Sequence, residues 1–181
     1  MRFTLIFLFT FSTFLLSAQT KTTEALTKKY DGEIFTAFFY RSTLQMLNQN
    51  DDKDFDELVK DIEKMRFMML DKAKLHLDGN QYKNLKTQYR SEGYEEMMSG
   101  RFEGRNFDIY LREQNGNVKG TVILLNDSTN LMILDILGKI ALDKTSQLFK
   151  TIDGSTEIGN RIKAFTGNGD KDKKKDDHGI D

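Results

Sequence analysis

NFDIYLREQNGNVKGTVILL, residues 106–125, decides the architecture of this chain. Its first half alternates, with Phe107, Ile109 and Leu111 on one side and Asp108, Tyr110 and Arg112 on the other. A period of two marks a strand with one apolar face. An Asn-Gly pair supplies the two positive-φ positions of a type I′ turn, and Asn115-Gly116 follows directly. VKGTVILL (118–125) then returns as the partner strand, so the sheet is antiparallel here.

On the C-terminal side, NDSTN (126–130) reads as a polar turn and LMILDIL (131–137) as a third strand. The stretch TNLMILDILGKI (129–140) is the most apolar outside the N-terminus, but Asp135, Gly138 and Lys139 interrupt it. It falls short of the roughly 20 apolar residues of a membrane-spanning helix, and we read it as core. Asp135 is expected to point to water, where a charge also discourages stray strand pairing. ALDKTSQLFK (141–150) predicts a helix burying Leu142 and Phe149. Residues 153–181 form a weakly ordered charged tail, with Ile158, Ile162 and Phe165 offering one or two amphipathic turns.

On the N-terminal side, Tyr82, Leu85 and Tyr89 mark a helix ended near Gly93. RFMML (66–70) predicts a strand. Before it, Phe55, Leu58, Val59, Ile62 and Met65 recur at helical spacing through DDKDFDELVKDIEKM, with Asp54 and Glu57 as a capping box. EIFTAFFY (33–40) is apolar on both alternations, which predicts a central strand covered on both sides. A short helix carrying Leu44 and Leu47, capped by Ser42 or Thr43, follows it. Strand, helical crossover and strand in that order predict a parallel pair. A first helix runs from about Thr23 to Tyr30, with Gly32 past its end. The expected fold is α+β: one domain over residues 19–152, with a mainly antiparallel sheet. A C-terminal meander of three to four strands and helices packed on one face complete it.

Residues 1–18 read as a signal peptide: Arg2, an apolar run from Phe3 to Leu16, and a cut after Ala18. The expected location is periplasmic or extracellular, without stable membrane insertion once the signal is removed. The chain has no cysteine, so it offers no acceptor for a lipid anchor, no disulfide and no thiolate metal site. Its formal net charge of -1 gives no basic excess for nucleic acid or an anionic membrane.

Several segments taken together, KKYDG, FTAFFYRSTLQML, GYEEMMS, the hairpin and NLMILDILGKIALDKTSQL, resemble the bacterial family designated domain of unknown function 4252. The resemblance covers roughly Leu26 to Phe149. It implies a small exported protein of Gram-negative bacteria, many of whose relatives are lipoproteins, and it implies no activity and no site residues. This chain departs from the lipoprotein members by lacking the acceptor cysteine.

The residues able to carry chemistry are few. His178 lies in the tail, and His76, in KAKLHLDG, reads as an exposed loop residue. Glu95, Glu96, Asp108 and Asp135 are the carboxylates that could serve a hydrolase, Asp135 through a raised pKa if buried. NQNDDKDFDEL and NGDKDKKKDD place oxygen side chains at alternate positions, but neither keeps the spacing of a calcium loop. Met65, Met68, Met69, Met97 and Met98 read as core filling rather than a copper site, since Met68 and Met69 point to opposite faces. Arg101, Arg105 and Arg112 stand among Glu103, Asp108 and Glu113, an arrangement that fits surface ion pairs. No residue is assigned a catalytic, cofactor-binding or metal role, and no cofactor is expected. The expected function is a non-enzymatic binding or interaction module for an envelope protein or small ligand; the alternative is a periplasmic hydrolase using carboxylates such as Asp135 and Asp108.

Overall fold

The computed structural model describes residues 20–48, 51–102 and 104–140. The expected signal peptide, the helix at 141–150 and the charged tail lie outside the described residues. Ten elements follow in order: α1 (Lys21–Lys29), β1 (Phe35–Tyr40), α2 (Arg41–Leu47), α3 (Lys53–Val59), β2 (Ile62–Asp71), α4 (Gly79–Ser91), β3 (Glu95–Phe102), β4 (Arg105–Gln114), β5 (Asn117–Asn126) and β6 (Asn130–Gly138). The strands form one six-stranded sheet in the order β1-β2-β6-β5-β4-β3, and every neighbouring pair is antiparallel. The α+β architecture with an open antiparallel sheet and packed helices therefore holds. The C-terminal meander has four strands, β3 to β6, within the three to four expected.

The Asn115-Gly116 turn has φ of 54° and 71°, the left-handed geometry that a type I′ turn requires at both positions. The alternation of β4 continues across the sheet. Ile109, Ile123, Leu134 and Phe67 lie in register on one face, with Leu44 of α2 and Phe55, Leu58 and Val59 of α3 in the same core. Leu124, Ile133 and Met68 lie in register on the other, under α1 and α4 with Leu85 and Tyr89. Helices thus reach both faces, and β6 lies buried between β2 and β5.

Four local expectations are corrected. β1 and β2 pair antiparallel, with Phe35 opposite Met69 and Tyr40 opposite Lys64, not parallel. Two seven-residue helices join them instead of one long crossover, so the chain returns to the end of the sheet that it left. β1 is an edge strand rather than a central one, and Phe38 and Tyr40 on it are 45% and 54% exposed. The helix expected through Met65 stops at Val59, and Ile62 and Met65 belong to β2. A register shift between Ile62 and Lys64 inserts an extra residue, so Ile62 and Met65 stand three apart yet join one core. Finally, the cap of α3 is Asp52, which accepts from the Asp54 and Phe55 amides, and α2 starts after Tyr40 with no side-chain cap.

Candidate functional site

α4 organises the polar side chains of its sheet face. Asp78 and Gln81 close a capping box at its start. Leu85 and Tyr89 turn into the core, while Tyr82, Lys86 and Arg90, spaced four apart, form a row toward β3 and β4. β4 presents Asp108 and Tyr110 to that row, and β3 adds Glu96 and Ser99. Asp108 is 3% exposed and accepts from Lys86 Nζ at 2.6 Å, Ser99 Oγ at 2.8 Å and the Tyr82 hydroxyl. Burial alone would raise its pKa; the three donors outweigh it and hold the carboxyl below the ordinary range. Glu96 accepts from Arg90 and from Tyr110 Oη at 3.1 Å, with Lys86 at 3.7 Å, and these partners likewise overcome its desolvation. Burial pushes the phenols of Tyr82 and Tyr110 upward, so both remain donors.

Asp135 lies on the same face in different surroundings. It is 2% exposed, which corrects the expectation that it meets water. Its Oδ2 accepts from the Thr20 amide at 3.2 Å and Thr20 Oγ1 at 3.1 Å, and Arg66 stands opposite on β2. Burial raises its pKa, and the threonine bonds and the Arg66 charge offset only part of that. Thr20 also caps α1, accepting from the Thr23 amide, and Thr23 Oγ1 meets Tyr89 Oη at 2.9 Å. Glu92, just past α4, accepts from the Lys21 and Thr22 amides at 2.8 and 2.6 Å. Two carboxylates distant in sequence therefore hold the positive end of α1, where helix amides lack partners of their own.

The two aspartates are not brought together. One strand, β5, separates β6 from β4, which sets them roughly 10 Å apart across the sheet. Asp108 is saturated by donors and a weak base, and Asp135 is sealed beneath α1. Glu95 is exposed on the opposite side from Glu96. His76 is exposed with φ of 52° in the loop after β2. Among the described residues, no three histidine, cysteine, aspartate or glutamate side chains form a metal site. Of the first calcium-like stretch, residues 51–58 hold the start of α3, where Asp52 accepts from the Asp54 and Phe55 amides, and Asn48 Nδ2 donates to Asp56 Oδ1 at 2.8 Å; the second such stretch lies outside the described residues. Met68 is buried on the α4 side, while Met97 and Met98 are exposed on β3. Arg112 covers the Tyr94 ring at 5.0 Å.

The accessible features among the described residues include a cleft and a sheet margin. Between α1 and α4 lies a cleft of about 250 Å³, floored by Leu70 and Leu131 and walled by Leu26, Tyr82 and Leu85. At the sheet margin, the outer edge of β1 carries Phe38 and Tyr40, with Lys64 4.9 and 5.4 Å from their ring centres. The sequence profile of the domain of unknown function 4252 matches residues 39–148, more than half of the chain. The chain belongs to the DUF4252 family. The matched stretch of this DUF4252 protein opens near the end of β1, so α1, which forms one wall of the cleft, precedes it. No curated protein and no solved structure matches the chain. No helix of the DUF4252 domain, among its described residues, is long and apolar enough to cross a membrane.

The Asp108 network carries a pH prediction. A carboxyl held below its ordinary pKa contributes stability that is complete above the unfolded value near 3.9 and is lost as pH falls through the folded value. Asp108→Asn is therefore expected to cost more at pH 7 than at pH 3, with a shallower loss of stability in acid. Urea denaturation of both proteins across that range checks this; parallel curves would show that Asp108 is not linked to folding.

Proposed function

We propose that this protein is a non-enzymatic interaction module of the bacterial envelope, exported by removal of residues 1–18, which engages a partner polypeptide through the outer edge of β1. The contrast between the two edges of the sheet supports this reading. β3 carries Glu95, Glu96 and Arg101 and a register break between Glu96 and Met98, devices that blunt an edge. β1 reads FTAFFY, with no charge, no proline and no break in register. Phe38 and Tyr40 on it are exposed, as is Met46 on the following helix α2. An open uncharged edge flanked by aromatic side chains is suited to strand addition, in which backbone bonds supply affinity and side-chain pockets supply selectivity.

The test is the double variant Phe38→Glu and Tyr40→Glu. Both side chains are exposed and lie within reach of the Lys64 ammonium, so stability should change by less than about 1 kcal/mol. Capture of a stoichiometric partner from envelope extract should be lost, whereas Met97→Glu and Met98→Glu on the opposite edge should leave it intact. Undiminished capture by the β1 variant would refute the assignment.

A further inference from the structure

We propose that the cleft between α1 and α4 is a binding site for a small anionic amphiphile: a carboxylate head on a short apolar tail, of the size of hexanoate to octanoate. The two helices are held together at one end only. There, Glu92 takes the Lys21 and Thr22 amides, and Thr23 meets Tyr89. Toward the end of α1 and the start of α4, no hydrogen bond or ion pair crosses between them among the described residues, and the cleft occupies that opening.

The lining sorts by chemistry. Leu26, Leu70, Leu85 and Leu131 make an apolar trough. Two lysines also line it: Lys72, just past the end of β2, and Lys29, the last residue of α1. Lys72 Nζ donates to Asn126 Oδ1 at 3.0 Å and the Asp127 carbonyl at 2.8 Å, both uncharged acceptors, which leaves its third proton. Neither lysine forms an ion pair among the described residues. Asp78 is the one acid in the lining, and its carboxylate caps α4 through the Asn80 and Gln81 amides. A trough lined by an unpaired ammonium fits an anion with a tail. The volume fixes the size: at about 30 Å³ for each water-sized group it admits roughly eight heavy atoms, below the drug-sized range.

The full mature chain is titrated with butyrate, hexanoate, octanoate, octanol and octylammonium, with binding read by calorimetry and by methyl NMR shifts of Leu26 and Leu131. The expected result is octanoate binding that weakens about fourfold for each methylene removed, from about 0.8 kcal/mol per buried methylene. Octanoate should be preferred over octanol at least tenfold, and octylammonium should not bind. Lys72→Met should abolish the preference for octanoate over octanol while leaving the tail dependence. Asn84→Trp, on the exposed rim of the cleft, should block every ligand without lowering the melting temperature. Equal binding of the cation and the anion, shifts spread over the surface, or no dependence on chain length would overturn the site. The β1 variants should bind octanoate normally, so failure here is separable from failure of the edge reading.

Discussion

Asp135→Ala is expected to remove about 3–5 kcal/mol of stability, the range for breaking one side of a buried ionic network. The change takes a partner from three groups at once. Arg66, 6% exposed, loses the carboxylate opposite it and keeps its bond to Thr27 Oγ1, the Thr20 amide loses its acceptor, and the Thr20 hydroxyl loses one of its two. Because Thr20 is the cap of α1, the helix should detach from the sheet as well. Asp135→Asn keeps an acceptor and should cost only about 1–2 kcal/mol at pH 7. Its pH dependence should run opposite to that of Asp108→Asn. A carboxyl raised by burial contributes stability that is complete below the unfolded pKa and is lost as pH climbs through the folded value. The asparagine penalty should therefore be larger at pH 4 than at pH 7. Urea melts at the two pH values decide the matter, and an alanine variant within 1 kcal/mol of the parent would show that α1 is anchored elsewhere.

Gly138→Ala should cost about 3 kcal/mol, from backbone strain and a steric clash together. Gly138 ends β6 with φ of 110°, a conformation that suits glycine and strains any other residue. It also lies against Asp61, whose carbonyl oxygen occupies the space a Cβ would need and accepts the Lys139 amide at 3.2 Å. That carbonyl is main chain at the bulged start of β2, so relief would require shifting the strand. Gly116→Ala provides the comparison: it too has positive φ, but open space surrounds it, and strain alone should cost about 1–2 kcal/mol. Thermal melts of the two variants separate strain from clash; equal melting temperatures would show that the Asp61 contact yields easily.

The meander was legible because its signals are local. Alternation along β4 and the Asn115-Gly116 turn depend on a few consecutive residues. The errors arose where distant partners decide. FTAFFY is apolar on both alternations, but nothing within it reveals that, among the described residues, no strand pairs with its outer edge. Ile62 and Met65 mimic a helical period because a bulge, visible only in the pairing with β6, adds one residue between them. Asp135 looked like an exposed interruption because its main donor, Thr20, lies 115 residues away. The Tyr82, Lys86 and Arg90 row could have been found as a polar stripe beside the apolar face of α4, although its target, Asp108, could not.

The strand order also bears on how the chain assembles. β3, β4, β5 and β6 can zip together as successive hairpins, each closing a short loop. β2, made earlier, pairs with β6, where Phe67 faces Leu134 and Ile62 faces Gly138 across a separation of most of the domain. Loop-closure entropy delays such contacts until the intervening chain is in place. Emerging from its N-terminus, the chain exposes β1 and β2 as an unpartnered two-stranded ribbon until β6 is complete, and such a ribbon is marginally stable in water. The strand that completes the core is also the one whose arrival sets the pace of folding.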